Sequence, residues 1–466
     1  MKKHLFAASI AAALFSTACS TTAPAHKTST DAKNTRDLHT QCISGLERLQ
    51  QQVSAGDAQA QADLGWCYAK GAGVQKDEER AVDLYQQSAA QGHATGKNRL
   101  GYMYFMGKGG LEKDNARWLD LTQQSADQGY PAALYNLGVA HQKGLGGVQK
   151  DEQRAVELFR EAAALGDATA LAALGLMYAR GTGGLPKDEA RAVELYRQSA
   201  ELGDDTGMVR LGAMYANGKG GLPKDAQRAA ELFSQAAAID PLLTPLMLTA
   251  REGHTDAVRV LLEQGADVNA ANENHWTALA LAAQKGHTDT ARLLIEKGAN
   301  LNAALKDGRP PLMLAAMEGR TEMVRLLLDK GADMRAVNDG GWTALTLAAA
   351  NFGADAARLL IEKGADVNAA SSNDGLTALM AAALTGNTKT ARLLIEQGAD
   401  VNAASTDGFT ALMLAAQEGH TEVTRVLLDK GANVNATNED GNTALSFAEM
   451  QGHAEVARML KAAGAK

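Results

Sequence analysis

Several residue types are scarce in this chain of 466 residues. Three cysteines exclude a disulfide-dense scaffold and a zinc module with four cysteine ligands. Eight prolines beside 91 alanines argue against proline-rich disordered material and favour closely packed helices. The net charge is −8, and no block of lysine or arginine forms the electrostatic footprint of a nucleic-acid-binding protein. We therefore expect no nucleic-acid partner.

Long apolar runs are also missing, apart from one at the beginning of the chain. Leu5 to Phe15 is apolar, follows Lys2 and Lys3, and precedes the small residues Ser16 to Ala18. Such an order predicts a secretory signal peptide over residues 1–18. As a helix, the apolar stretch would span about 16 Å, too short for a bilayer core of about 30 Å.

The residues around Cys19 resemble the lipobox of bacterial lipoproteins, although Ser16 stands where that family usually has leucine. The resemblance implies lipidation of Cys19, an anchor in the outer membrane facing the periplasm, and no other membrane contact. The alternative is cleavage to a soluble periplasmic protein. Residues 19–37 are rich in serine, threonine, alanine and lysine, which predicts a flexible tether.

A unit of 37 residues recurs five times between residues 57 and 240. Each copy has a Leu-Gly pair in its first half and a Lys-Asp pair before its second half, with the aspartates at positions 77, 114, 151, 188 and 225. Aspartate favours helix N-caps and glycine favours helix ends, so each unit is predicted to be helix, loop, helix. We expect the glycine of each Leu-Gly pair to permit the close approach of a neighbouring backbone.

These units resemble the Sel1-like repeat, a relative of the tetratricopeptide repeat, over residues 57–240. Matching features are the Leu-Gly-x-x-Tyr core, the Gly-x-Gly loop and the Ala-x-x-Leu-Tyr/Phe helix, with His141 replacing tyrosine in the third unit. Residues 38–56 are predicted to form one further helix that caps the open end of this array.

Cys42 and Cys67 lie at similar distances from a predicted turn near residues 55 and 56. An antiparallel hairpin would bring them together, and an oxidising periplasm would allow a disulfide between them. Two buried free thiols are the alternative.

From Thr244 the period changes to 33 residues. Thr-Pro/Ala-Leu opens most units, and Gly-Ala-Asp-Val-Asn or a close variant follows a Leu-Leu pair. The pattern resembles the ankyrin repeat over seven units, residues 241–466, which implies short helix pairs and β-hairpin fingers. Phe352 departs from it by replacing a helix-ending glycine.

Together the two arrays predict an all-α fold. We expect an α/α superhelical solenoid of Sel1-like helix pairs that continues into an ankyrin array with short β-hairpin fingers. Because the junction at residue 240 has no Ser/Gly linker, we expect one stiff rod.

No sequence signature of catalysis is present among those sought, which included serine nucleophile, metalloprotease and phosphate-loop motifs. We therefore predict no enzyme activity, no cofactor and no metal. His254, His287, His420 and His453 recur at one ankyrin position. Stacked helices lie about 8–10 Å apart, whereas Zn–N bonds are about 2 Å, so these histidines are predicted to be structural.

Ankyrin repeat arrays bind proteins through their hairpin tips and the solvent side of their first helices. Large side chains at those positions are predicted to bind a partner: Trp276, Arg309, Met317, Trp342, Leu376, Leu384 and Phe409. For each one, packing on the next hairpin is the alternative. Phe105 and Met106 form a second candidate surface, because the other Sel1-like units have small or polar residues there. Trp118 and Thr122 nearby fit a volume-conserving exchange in the core.

These features favour a monomeric, non-enzymatic, exported scaffold that binds a protein. The resemblance to Sel1-like lipoproteins suggests an immunity protein that neutralises a secreted toxin, or a role in envelope stress. The alternatives are a peptidoglycan- or β-lactam-binding or -hydrolysing envelope protein and a secreted effector directed at a host.

Overall fold

The computed structural model describes residues 38–239, 242–351 and 353–466. The predicted signal peptide, the tether with Cys19, and Phe352 lie outside the described residues. The described residues divide into two compact units, one up to residue 239 and one from residue 242. Each unit is a series of helix pairs without a β-strand in its described part, which confirms the all-α prediction. None of the described helices combines the length and apolarity needed to cross a bilayer.

The capping segment is bent rather than one continuous helix. Residues 38–44 are helical, the chain bends at Gly45, and α1 follows at Leu46–Ser54. Leu38 and Leu49 are buried against Leu64 of the first Sel1-like unit. The predicted single helix is therefore corrected to two segments, both of which cover the core of that unit.

The five Sel1-like units each contribute two helices. Their bounds, in chain order, are α2 Ala58–Lys70, α3 Glu78–Ala90, α4 Ala94–Met106, α5 Asn115–Ala126, α6 Pro131–Lys143, α7 Glu152–Ala164, α8 Ala168–Arg180, α9 Glu189–Glu201, α10 Asp205–Asn217 and α11 Ala226–Ile239.

Aspartate caps the second helix of every Sel1-like unit, as predicted. The carboxylate of Asp77 accepts a hydrogen bond from the Arg80 backbone N–H at 2.9 Å, and the other four units repeat the contact. Such a cap stabilises a helix by about 1 kcal/mol. The Lys-Asp spacing of 37 therefore marks where each second helix begins.

In four of the five Sel1-like units, the glycine of the Leu-Gly pair lies beneath an aromatic ring. A Cβ atom on Gly138 would lie 2.6 Å from the ring of Phe159, and Gly65 and Gly175 have the same relation to Tyr85 and Tyr196. A backbone also approaches, as expected, in three units: a Cβ would lie 3.2 Å from the Ala81 carbonyl oxygen at Gly65, 3.3 Å from that of Trp118 at Gly101 and 3.4 Å from that of Ala229 at Gly212. At Gly65, Gly138 and Gly175 glycine is required above all because a ring of the second helix packs on the first.

The ankyrin array begins at Thr244, and its helices are shorter. Their bounds are α12 Pro245–Glu252, α13 Thr255–Glu263, α14 Ala278–Lys285, α15 Thr288–Glu296, α16 Pro311–Met317, α17 Thr321–Asp329, α18 Ala344–Ala350, α19 Ala354–Glu362, α20 Ala378–Leu384, α21 Thr388–Glu396, α22 Ala411–Gln417, α23 Thr421–Asp429, α24 Ala444–Met450 and α25 Ala454–Ala462.

The connections between ankyrin units are turns rather than β-hairpins. Over residues 242–351 and 353–466 they contain only isolated antiparallel bridges, Ala370 with Thr377 and Ala404 with Thr410. A side chain organises the backbone instead: Asn272 Oδ1 accepts from the Asn274 and Trp276 N–H groups, each at 3.0 Å. The predicted β-hairpin fingers are therefore corrected to asparagine- or aspartate-stabilised turns.

Asparagines of the Gly-Ala-Asp-Val-Asn motif link successive units. Asn269 Nδ2 donates to the Gly298 carbonyl at 3.1 Å, while its Oδ1 accepts from the Asn300 N–H at 2.8 Å. Asn368, Asn402 and Asn435 repeat both contacts with the unit that follows or, for Asn435, with the end of the chain. The motif thus ties each unit to its neighbour through both ends of one amide.

Candidate protein-binding surfaces

Most of the large side chains predicted to face a partner on the ankyrin units are buried. Five of them are no more than 7% exposed: Arg309, Met317, Trp342, Leu376 and Leu384. The burial corrects their assignment as exposed anchors, because a side chain inside the array offers a partner almost no surface. These five residues instead fit the alternative that was given for each of them, which is packing inside the array.

Arg309 shows how a charged residue fits at such a position. Its guanidinium donates to Asp307 Oδ2 from Nε at 2.9 Å and from Nη2 at 2.5 Å, while Nη1 donates to the Met317 sulfur at 3.4 Å. The pairing satisfies the buried charge within its own turn. Arg309 is therefore a structural residue.

Trp276 and Phe409 remain half-buried. Trp276 packs against Ala280, Leu305 and Leu314, the last two from the following unit. Phe409 stacks on Phe447 with ring centroids 5.4 Å apart. Each ring is anchored on one side and partly accessible on the other, which is the arrangement of an aromatic interface residue.

The turn before Trp276 contains the one non-glycine residue with a positive φ among the described residues, His275 at +62°. Corresponding turns have glycine there, including Gly308 at +81° and Gly441 at +77°. His275 is also exposed. A strained, exposed histidine beside a half-exposed tryptophan distinguishes this turn from the others.

Phe105 and Met106 are half-buried at the end of α4. The Phe105 ring lies 4.7 Å from the ring of Trp118, and the Lys113 ammonium is 5.6 Å from its centroid. Trp118 is itself buried, and Thr122 is small where other units have an aromatic residue. Phe105 therefore takes part in the same volume exchange as Trp118 and Thr122. The presence of Phe105 has a packing reason that the sequence analysis missed.

The structure joins Cys42 to Cys67 in a disulfide with a Cα–Cα distance of 5.8 Å. Both residues are fully buried. The bond ties the capping segment to α2 and closes a loop with a sequence separation of 25. Of the two alternatives, the bonded one is present.

The recurring histidines connect units through backbone carbonyls. His287 Nε2 lies 2.9 Å from the Arg251 carbonyl oxygen, and His420 and His453 make the same contact with Leu384 and Gln417. A carbonyl oxygen only accepts, so Nε2 carries the proton in each case. These three histidines have the structural role predicted for them.

A cavity of about 430 Å³ is lined by α6, α8 and α10, the first helices of three successive Sel1-like units, and by Glu152 and Phe159 of α7. Its lining includes the buried Phe159 and, nearer to solvent, Lys143, Arg180 and Arg210. Sequence reasoning missed this site. The available signal was Arg210, which replaces Ala173 and Asn136 of the preceding units.

Comparison with known families matches both arrays. The family described as ankyrin repeats (3 copies) matches residues 225–305, 300–371, 368–438 and 402–466. The Sel1 repeat matches residues 58–93, 94–130, 131–167, 168–204 and 206–240. Both families are typical of protein-protein interaction scaffolds and are generally non-catalytic.

Curated relatives are similar over short segments only. DAP3-binding cell death enhancer 1 of Rattus norvegicus is 48% identical over 48 residues, 10% of this chain and 9% of that protein. Its Mus musculus counterpart is 38% identical over 66 residues, 14% of this chain and 13% of that protein. The chain thus spans about a tenth of the length of these relatives.

Solved ankyrin domains are also similar to part of the chain. The human ASB11 ankyrin repeat domain has a TM-score of 0.44 and 26% identity, covering 48% of this chain and 99% of that one. The ankyrin repeat domain of Bcl-3, a member of the IkappaB protein family, has a TM-score of 0.41 and 29% identity, covering 47% and 98%. With the family matches to residues 225–466 and 58–240, the chain belongs to the ankyrin repeat family and carries five Sel1 repeats before its ankyrin repeats.

Proposed function

We propose that this protein is an exported, non-catalytic scaffold that binds a protein partner through the ankyrin turn containing His275 and Trp276. The observation that carries the proposal is the positive φ of His275, exposed beside a half-buried tryptophan. A histidine in that conformation costs stability where glycine would not. Its side chain is therefore proposed to serve contact rather than folding.

Trp276 supplies the apolar part of the proposed contact. Aromatic residues with one anchored and one accessible face are enriched at interface centres, because they bury a large area with little loss of side-chain freedom. The neighbouring Glu273 and Asn274 are exposed and polar. An aromatic centre with a polar rim is the usual composition of a protein-binding patch.

Export is proposed from the signal-peptide pattern before Cys19 and is supported by the Cys42–Cys67 disulfide. Disulfides persist in oxidising compartments such as the bacterial periplasm. The proposed partner is accordingly an envelope protein or a secreted toxin. Neutralising such a toxin, or supporting an envelope stress response, is the specific role we propose.

A photo-crosslinking amino acid placed at position 276 in living cells tests the surface. The control carries the same amino acid at Arg259, which is exposed on α13. We expect a discrete crosslinked partner from position 276 and none from position 259. Equal patterns from both positions, or no product from 276, would overturn the proposal.

Export and anchoring are tested by metabolic labelling with palmitate. The native chain is expected to incorporate the label and fractionate with the outer membrane. A Cys19→Ser variant should lose the label, because serine has no thiol for lipidation. An unlabelled native protein in the cytoplasm would contradict the proposed location.

A further inference from the structure

We propose that the cavity between α6, α8 and α10 binds an acidic segment of a protein partner, in which carboxylates flank an apolar side chain. The inference rests on the proposed scaffold function and names the chemistry of a second contact. It uses Arg180, Arg210 and Lys143 for the carboxylates and Phe159 with its neighbours for the apolar group. All four residues line the same cavity.

The positive charges of the cavity have no acidic partner. Neither Arg180, Arg210 nor Lys143 forms an ion pair with any residue in the described parts of the chain. Arginines on the second helices of the same units do find one: Arg154 pairs with Glu157 at 2.7 Å, and Arg228 pairs with Glu231 at 2.8 Å. The cavity cations thus differ from Arg154 and Arg228 in having no carboxylate within ion-pair distance among the described residues.

One carboxylate also lines the cavity, but its charge is already matched. Glu152 Oε1 lies 2.7 Å from Lys150 Nζ. The hydrogen bond and charge of Lys150 lower the pKa of Glu152, so the pair is ionised and locally neutral. Three cationic side chains therefore line the cavity beside one carboxylate, in a chain whose net charge is −8.

Arg180 and Arg210 line the same cavity, and the charges of both act on the Tyr196 hydroxyl. Burial raises the pKa of the Tyr196 hydroxyl, and the charges of both guanidinium groups act in the opposite direction. Arginine binds a carboxylate through two parallel hydrogen bonds, so each guanidinium group can receive one. Two arginines that line one cavity favour a segment with more than one acid.

The inner lining is apolar. Phe159 and Val139 are buried, and Leu176 is half-buried. The volume of about 430 Å³ lies within the range of ligand pockets and exceeds what a single anion fills. An apolar side chain between acids would fill the interior while the acids reach the mouth.

A peptide of alternating glutamate and leucine, labelled with fluorescein, serves as the probe in an anisotropy titration of the full chain. The comparison peptide has glutamine in place of glutamate. We expect binding of the acidic peptide only, weakened as salt rises, because exposed charges are screened. Inorganic phosphate at matched charge should not displace the peptide.

Arg180→Gln with Arg210→Gln should weaken binding of the acidic peptide by about tenfold or more, since paired charges at interfaces contribute on this order. The matched control is Arg160→Gln with Arg197→Gln, exposed arginines of α7 and α9. Thermal unfolding of both variants checks that the array is intact. Equal affinity of the native chain and the cavity variant, or equal loss in the control, would overturn the inference.

The two proposals fail separately. Absence of acidic-peptide binding, together with a crosslinked partner at position 276, would remove the cavity inference and leave the scaffold function standing. Binding at the cavity without any crosslinked partner at position 276 would remove the proposed His275–Trp276 surface and leave the cavity inference standing. Displacement of the peptide by phosphate alone would show an unspecific anion site and overturn the inference.

Discussion

At the scale of single residues, His275 has a backbone conformation that favours glycine over a residue with a side chain. Its φ of +62° is one that glycine adopts without a penalty. We expect His275→Gly to raise the free energy of unfolding by about 1 kcal/mol. Urea unfolding followed by circular dichroism would measure the change.

Gly441→His provides the matched control for that substitution. Gly441 has a φ of +77°, and no atom lies within 4 Å of where a Cβ would be, so only backbone strain is introduced. The variant should lose about 1 kcal/mol. If neither change alters unfolding, the turn at residue 275 is not strained.

Asp204 is a residue whose protonation makes the stability of the Sel1-like units depend on pH. Burial raises its pKa to about 6, although the Gly207 N–H and the Ser199 hydroxyl donate to it. Between pH 4 and 6 the folded chain holds a proton that the unfolded chain releases. The contribution of Asp204 to the free energy of unfolding therefore falls as the pH rises, by roughly 3 kcal/mol.

Asp204→Asn removes this titration. The unfolding free energies of native and variant chains, measured by urea from pH 4 to 7, should differ by an amount that changes across that window. Asp188→Asn is the control, because Asp188 caps α9 from an exposed position. A constant difference between the native chain and Asp204→Asn would contradict the raised pKa.

At the scale of helices and turns, the caps were predictable and the packing partners were not. An aspartate before a helix acts on backbone groups two or three residues away, so Asp77 and its equivalents could be placed from the sequence. The burial of Trp342 and Leu376 depends on contacts with other units. A turn position alone cannot distinguish an exposed ring from one covered by its neighbour.

The contact between His420 and the Leu384 carbonyl, at 3.0 Å, illustrates how neighbouring helices are fixed. His420→Ala leaves that carbonyl without its donor and should lower the free energy of unfolding by about 1–3 kcal/mol. Chemical denaturation of the full chain would measure this loss.

Asparagine offers the rescue variant for this contact. Asn387 occupies the equivalent position one unit earlier and donates from Nδ2 to the Ala349 carbonyl at 3.1 Å. His420→Asn should therefore recover part of the stability that His420→Ala loses. Equal losses for both variants would show that asparagine does not replace the histidine contact at that position.

At the scale of the whole molecule, the two periods of 37 and 33 residues were enough to predict helical arrays and their order along the chain. The cavity could not be predicted from the repeat pattern. Helices of three units line it, and the residues that distinguish it differ from one unit to the next. Arg210 stands where the two preceding units have Ala173 and Asn136, and only the packed helices show that it lines the same cavity as Arg180.

Because each repeat packs mainly on its neighbours, damage to the core should remain local. Phe159→Ala removes a fully buried ring from the third Sel1-like unit and should cost about 3–5 kcal/mol. Hydrogen exchange measured by mass spectrometry should show the greatest loss of protection in α6 to α9, with smaller losses further along the array.

Phe233→Ala is the matching change two units later, in α11, at an equally buried ring. Its loss of protection should be centred on α10 and α11 instead. Uniform loss across residues 38–239 in both variants would show that these repeats unfold as one block.

The bond between Cys42 and Cys67 leaves a single sulfhydryl in the entire sequence, at position 19. A thiol-reactive dye applied to the denatured, unreduced protein therefore reports on that one atom. One equivalent of dye would show a free thiol at Cys19, and none would show that Cys19 has been modified or removed. Because the disulfide blocks the other two cysteines, the number of dye molecules bound per chain measures the state of Cys19 alone.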